Sequence, residues 1–214
     1  MHDKRTCYMC DNIETSKEHV PPKCFFPEKQ GMRINLFTVP ACDLHNTMKS
    51  TDDEFFRTII LSNKGLNSIG KELFLGKTLR AVKRKPHAYG EFIKPIEKQF
   101  HSDEVAVRFD RVRLDKCIEQ MVKAIFYLTY KKKLSIPMVI SCPKFGSKSR
   151  KGNYYNSSKW SDIANICRDF LCSEIVLGEN HKVFNYRIKY DSTENVLGFA
   201  AIFYESFEIF VIAS

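Results

Sequence analysis

Two pairs of residues in the first fifty have the spacing of metal ligands. Cys7 and Cys10 form a CxxC, and about thirty residues later Cys42 and His45 form a CxxH. Each pair can supply two neighbouring corners of a tetrahedron, so together they predict a closed Cys3His zinc site. A single CxxC is weak evidence, but these pairs flank a polar, turn-rich stretch. Such a stretch buries too little apolar surface to fold alone without a metal. Free thiols and a surface histidine are the competing explanation. Between the pairs lies KEHVPPK, Lys17 to Lys23, in which His19 follows Glu18 and precedes Pro21 and Pro22. Alone, this histidine fits a base at a strand end or a polar residue in a turn, and the turn is the commoner case.

The pieces gain meaning from their order. CxxC, EHxxP, NL and CxxHNxxKS succeed one another between Cys7 and about Phe55, roughly a quarter of the chain. That order resembles the HNH endonucleases in their zinc-stapled ββα-metal form. The resemblance implies that His19 deprotonates an attacking water, and that Glu18 and Asn46 hold one divalent cation, Mg²⁺ or Mn²⁺. It implies that Asn35, in INL, braces the loop between the strands, and that Lys49 contacts phosphate. Two positions depart from the family pattern. Most relatives carry Asp or His where this chain has Glu18, and the fourth zinc ligand, here His45, is often cysteine.

The implied chemistry suits these residue types. Hydrolysis of a phosphodiester needs a nucleophile generated near neutral pH, which matches the ordinary pKa of imidazole. It also needs charge neutralisation on phosphate and leaving oxygen, which a hard cation on oxygen ligands provides. The resulting expectation is a metal-dependent endonuclease acting on DNA. Two alternatives differ in class: a zinc-stapled nucleic-acid-binding module without catalysis, and a nuclease effector of a phage-defence system that acts only with a partner.

These residues need elements to position them. INLFTVP, Ile34 to Pro40, reads as a strand stopped by proline, and a helix is expected from Asp43, continuing through STDDEFFRTIILS with an acidic first turn. Residues 66 to about 98 read as helix and then loop. VAVRF is a short strand before the clearest helix, Arg111 to Lys133, with an apolar stripe of Leu114, Ile118, Met121, Ile125 and Leu128. Its final lysines, Lys131 to Lys133, suit the negative end of the helix dipole. A second amphipathic helix runs through Ile163, Ile166 and Phe170. VFNYRIKY, VLGFAAIFY and FEIFVIA then predict an antiparallel meander. The expected fold is α+β: an HNH unit over 1–65, a connector over 66–104 and an α+β unit over 105–214 that positions substrate or a partner. Exposed Phe and Tyr of its sheet are the expected docking surface for a protein partner or a second copy.

Composition sets the outer limits. The chain has 214 residues, 43% hydrophobic and 28% charged, ordinary for a globular protein with a core of its own. No run of about 18 apolar residues occurs, so no membrane partner is expected. MHDKRTCYMC has no apolar signal region, so a cytoplasmic location is expected. In that compartment eight cysteines point to metal or free thiols rather than disulfides. Cys117, Cys142, Cys167 and Cys172 stand among apolar residues and read as core, as does Cys24 in KCFF. The net charge of +9 suits a polyanion. Lys77 to Lys85 and the acid-free Lys144 to Lys159 concentrate that charge, and Lys148, Arg150 and Lys151 are the expected phosphate contacts.

Overall fold

The structure is a computed structural model that describes residues 5–28, 31–84, 90, 94–95, 107–143, 147–148, 154–155 and 158–214. Strands β1 (Ser16–His19) and β2 (Thr38–Ala41) pair antiparallel, with Glu18 opposite Val39 and His19 opposite Thr38. Two single-turn 3₁₀ segments, Asp43–His45 and Thr47–Lys49, lead into helix α1 (Ser50–Leu61). Strand β2 is shorter than the sequence predicts at its start and does not stop at the proline. Asn35 adopts φ 56°, which ends any extended run before Leu36. Pro40 is tolerated inside β2 because its missing N–H costs nothing in a two-stranded ribbon, while its carbonyl accepts from Tyr8 N at 2.9 Å.

Helices α2 (Ser68–Leu73) and α3 (Leu79–Arg84) flank one π-helical turn, Phe74–Thr78. Strands β3 (Lys94–Pro95) and β4 (Val107–Arg108) pair before the long helix α4 (Arg111–Tyr130). The Asp110 side chain caps the start of α4 by accepting from Arg113 N at 3.0 Å. The helix ends three residues earlier than its lysine run predicts, because Lys131 takes the left-handed conformation. Lys131 Nζ then caps the Leu128 carbonyl at 2.8 Å. Lys133, past the helix, reaches the Cys10 carbonyl at 2.7 Å and Asp11 at 2.8 Å instead.

The remainder is a four-stranded antiparallel sheet, β5 (Met138–Ser141), β8 (Phe184–Asp191), β9 (Val196–Phe203) and β10 (Phe207–Ala213), in the order β5-β10-β9-β8. Between β5 and β8 come a short hairpin, β6 (Ser147–Lys148) and β7 (Tyr154–Tyr155), and helix α5 (Ser158–Phe170). Strict alternation divides the sheet into two faces. Phe199, Ala201, Phe203, Ile209 and Val211 enter the main core, while Ala200, Phe210 and Ile212 meet α5. Helix α5 buries Ala164 and Cys167, with Leu171 just past its end, and leaves Ile166 59% exposed, so its apolar face is rotated from the one predicted through Ile166. The end of the helix approaches the sheet closely at Gly198, where an added Cβ would lie 2.4 Å from the Phe170 ring. Gly198→Ala is therefore expected to destabilise the fold by roughly 1–3 kcal/mol, as overpacking does, and denaturant unfolding measures it.

The aromatic residues meant for a docking surface are inside: Phe184, Tyr186, Phe199, Phe203, Phe207 and Phe210 are all buried. Of the four outlying cysteines, Cys117, Cys142 and Cys167 are buried but Cys172 is exposed. One core also runs from the first strands to the last. The Phe25, Phe56 and Phe203 rings meet at centroid distances of 5.3 to 6.0 Å, and the Tyr204 hydroxyl donates to the Phe25 carbonyl at 2.7 Å. Among the described residues, no helix is long and apolar enough to cross a membrane.

Candidate functional site

The zinc-type pairs converge. Cys7 and Cys10 bracket the turn that follows the Thr6–Ile13 bridge, closed by Cys7 N donating to the Asn12 carbonyl at 2.8 Å. Cys42 directly follows β2, and His45 closes the 3₁₀ turn, its N–H returning to the Cys42 carbonyl at 3.0 Å. The four ligand atoms lie within 4.8 Å of one another. His45 Nδ1 stands 3.5 Å from Cys7 Sγ, 3.5 Å from Cys10 Sγ and 3.4 Å from Cys42 Sγ, and the Cys10 and Cys42 sulfurs are 3.8 Å apart. Ligands at zinc bond lengths of about 2.3 Å (S) and 2.0–2.1 Å (N), spread tetrahedrally, fall roughly 3.8 Å (S to S) and 3.5–3.6 Å (S to N) apart. The cluster is thus compatible with a structural zinc site of Cys3His type. Around it, Met9 N donates to Cys7 Sγ at 3.4 Å and Asn12 Nδ2 approaches Cys42 Sγ at 3.9 Å, the outer-shell donors a thiolate attracts. Burial first, then Lys123 and Lys49, push His45 below its ordinary pKa and favour the neutral imidazole.

The same scaffold places Glu18, His19 and Asn46. On β1, Ser16 and Glu18 share a face, and Glu18 is only 4% exposed. Asn46, between the two 3₁₀ turns, donates from Nδ2 to Ser16 Oγ at 2.8 Å and to the Lys17 carbonyl at 3.3 Å. Its carboxamide oxygen keeps its acceptor capacity. His19 lies at the end of β1, half-buried. Burial first, then Lys23 and Arg33, hold its pKa below the usual histidine range, so it is a neutral base at pH 7.

Glu18 is not alone. Its Oε1 is ion-paired with Lys49 Nζ, and that ammonium also lies 3.2 Å from Asp53 Oδ1, one helical turn on in α1. Both partners shift upward for different reasons. Burial raises the Glu18 carboxyl more than Lys49 lowers it, whereas two carboxylates outweigh burial at Lys49 and keep it charged. One cation therefore serves two acids. Glu18 Oε2 is buried without a hydrogen bond, and so is Tyr8 Oη. The Tyr8 phenol faces the same carboxylate closely enough for burial and then the Glu18 charge to raise its pKa, yet the two close no hydrogen bond of ordinary geometry. Glu18, His19, Lys49, Asp53 and Gln120 line one small pocket of about 10 Å³, room for a single water or ion. A buried carboxylate lining such a pocket is the ligand type a hard cation takes.

The predicted residues separate as follows. Glu18, His19 and Lys49 come together in the pocket, and Asn46 is fixed to the same strand without lining it. Asn35 is exposed with a backbone φ of 56°, and its side chain makes no hydrogen bond among the described residues. Lys148 is in β6, but Arg150 and Lys151 lie outside the described residues. Sequence reasoning missed Tyr8, Asp53 and Gln120. Asp53 had a signal, since a carboxylate four residues after Lys49 on a helix is a neighbour. Tyr8 and Gln120 had none. No family model, curated protein or solved structure matches the chain.

Proposed function

We propose that this chain is a metal-dependent endonuclease of the HNH type, hydrolysing phosphodiester bonds in DNA, with zinc in the Cys7, Cys10, Cys42 and His45 cluster. The observation that carries the reading is the juxtaposition of a neutral histidine and a buried carboxylate with an unused oxygen in one pocket. Both stand on a strand whose partner strand is followed directly by the ligand Cys42, so the cluster would hold the register that places them. His19 accepts the proton of the attacking water. Glu18 and Asn46 would hold Mg²⁺ or Mn²⁺, which when bound supplies positive charge to the phosphate and the leaving oxygen. Asn46 is oriented for this by its two hydrogen bonds to β1. The net charge of +9 favours a polyanionic substrate.

Purified protein with one zinc per chain should nick plasmid DNA in the presence of Mg²⁺ or Mn²⁺ and not in EDTA. Asn46→Ala should cut at least tenfold more slowly at low Mn²⁺ and recover part of the loss as Mn²⁺ is raised, because excess cation refills a weakened site. Zinc-replete protein that binds DNA but cuts neither duplex, single-stranded DNA nor RNA with either cation would turn the reading toward a non-catalytic binding module.

A further inference from the structure

We propose that Asp53 is a further ligand for the divalent cation beside Glu18, and that the Lys49 ammonium is a built-in stand-in which occupies this carboxylate pair until the cation displaces it. The inference rests on the reading of Glu18 as a cation ligand and extends it to two residues with other expected roles, or none. Three observations carry it. Lys49 Nζ is held by both acids at once, by Glu18 and by Asp53 at 3.2 Å, so the pair already binds a cation between them. Two ionised carboxylates and one ammonium sum to −1, so Lys49 alone leaves the pair with unbalanced negative charge. The third observation is Glu18 Oε2, buried without a hydrogen bond of ordinary geometry although the Tyr8 phenol faces that carboxylate.

Exchange is geometrically modest. Oxygens that embrace an ammonium at hydrogen-bonding distance need to close by about 1 Å to reach the 2.0–2.6 Å typical of Mg²⁺ or Ca²⁺ ligands. All three side chains line the pocket that His19 also lines, so a displaced ammonium stays beside the base. Asp53 lies in the first turn of α1, where burial raises its carboxyl and the Lys49 ammonium offsets part of that rise. Lys49 is thus a gate on the cation rather than a group whose charge is fixed on Glu18.

Direct Mn²⁺ binding, read from the electron paramagnetic resonance signal of free Mn²⁺ with zinc-loaded protein, tests this without any measurement of cleavage. Lys49→Gln should bind Mn²⁺ at least tenfold more tightly than the natural chain, since the competitor is gone. Asp53→Asn should bind at least tenfold more weakly, and Glu18→Gln should lose the site. Should Asp53→Asn lose zinc or fold poorly, Lys49→Gln carries the test, with a larger rise in melting temperature on adding Mn²⁺ than the natural chain shows. Unchanged or weaker binding in Lys49→Gln, or natural affinity in a well-folded Asp53→Asn, overturns the proposal. Failure of the nuclease reading looks different: Mn²⁺ binding would follow this pattern while no nucleic acid is cut.

Discussion

His19→Ala is expected to slow DNA cleavage at least a hundredfold while leaving zinc content and melting temperature close to those of the natural chain. Removing a positioned general base typically costs two to four orders of magnitude. The fold should tolerate the change because His19 is only half-buried and the pairing at its position, with Thr38, is made by backbone. The loss should resist added Mg²⁺ or Mn²⁺, since excess cation cannot replace a missing proton acceptor, and this distinguishes it from Asn46→Ala. A pH profile adds an independent sign. The base works when neutral, and burial, Lys23 and Arg33 depress its pKa below about 6.5. Cleavage by the natural chain should therefore be flat through neutral pH and fall only as pH drops through that depressed value. His19→Ala should lack this limb. A variant that cuts as fast as the natural chain would return His19 to the role of an ordinary turn residue.

How much of this could be read from the chain depends on what kind of physics fixed each element. The meander was legible because a sheet with two buried faces still alternates, and Phe184, Tyr186 and Ile188 point the same way. The long helix was legible from its stripe, but its end was not. Lys131 turns left-handed to make a cap, and nothing in a lysine run announces this. The rotation of α5 was hidden because the residues it buries are Ala164 and Cys167, small side chains that a stripe of large apolar residues does not single out. Burial of the sheet aromatics depends on Phe25 and Phe56, which come from far away in sequence. At the site, the ligand pairs were visible as spacing, since a tetrahedron of thiols and imidazole demands it. The Glu18–Lys49–Asp53 cluster was visible only in half: Lys49 and Asp53 are helical neighbours, but Glu18 reaches them across a tertiary contact. Tyr8, next to the ligand Cys7, meets the Glu18 carboxylate through a tertiary contact that the sequence does not announce.

Removing the zinc should have the second large effect. Cys42→Ser, or a strong chelator, is expected to lower the melting temperature by more than about 10 °C and to abolish cleavage together with it, whereas Cys117→Ser should leave zinc content unchanged. Binding to structural zinc sites of this type is worth on the order of 10 kcal/mol in small peptides. Even a loss of several kcal/mol is large here, because a chain of this size moves about 2–4 °C per kcal/mol. The form of the transition is as informative as its position. Cys7 and Cys42 are buried in the same apolar cluster as Phe25, Phe56 and Phe203, so the zinc segment and the sheet share one core. That continuity predicts one cooperative transition displaced downward, monitored identically by far-ultraviolet circular dichroism and by tryptophan or tyrosine fluorescence. A separate low-temperature transition, with the sheet melting at its original temperature, would show instead that the first sixty residues unfold as an independent unit. Loss of cleavage follows either way, because Asn46 comes immediately after the ligand His45 and is held to Ser16 and Lys17 only while the cluster keeps those turns in place.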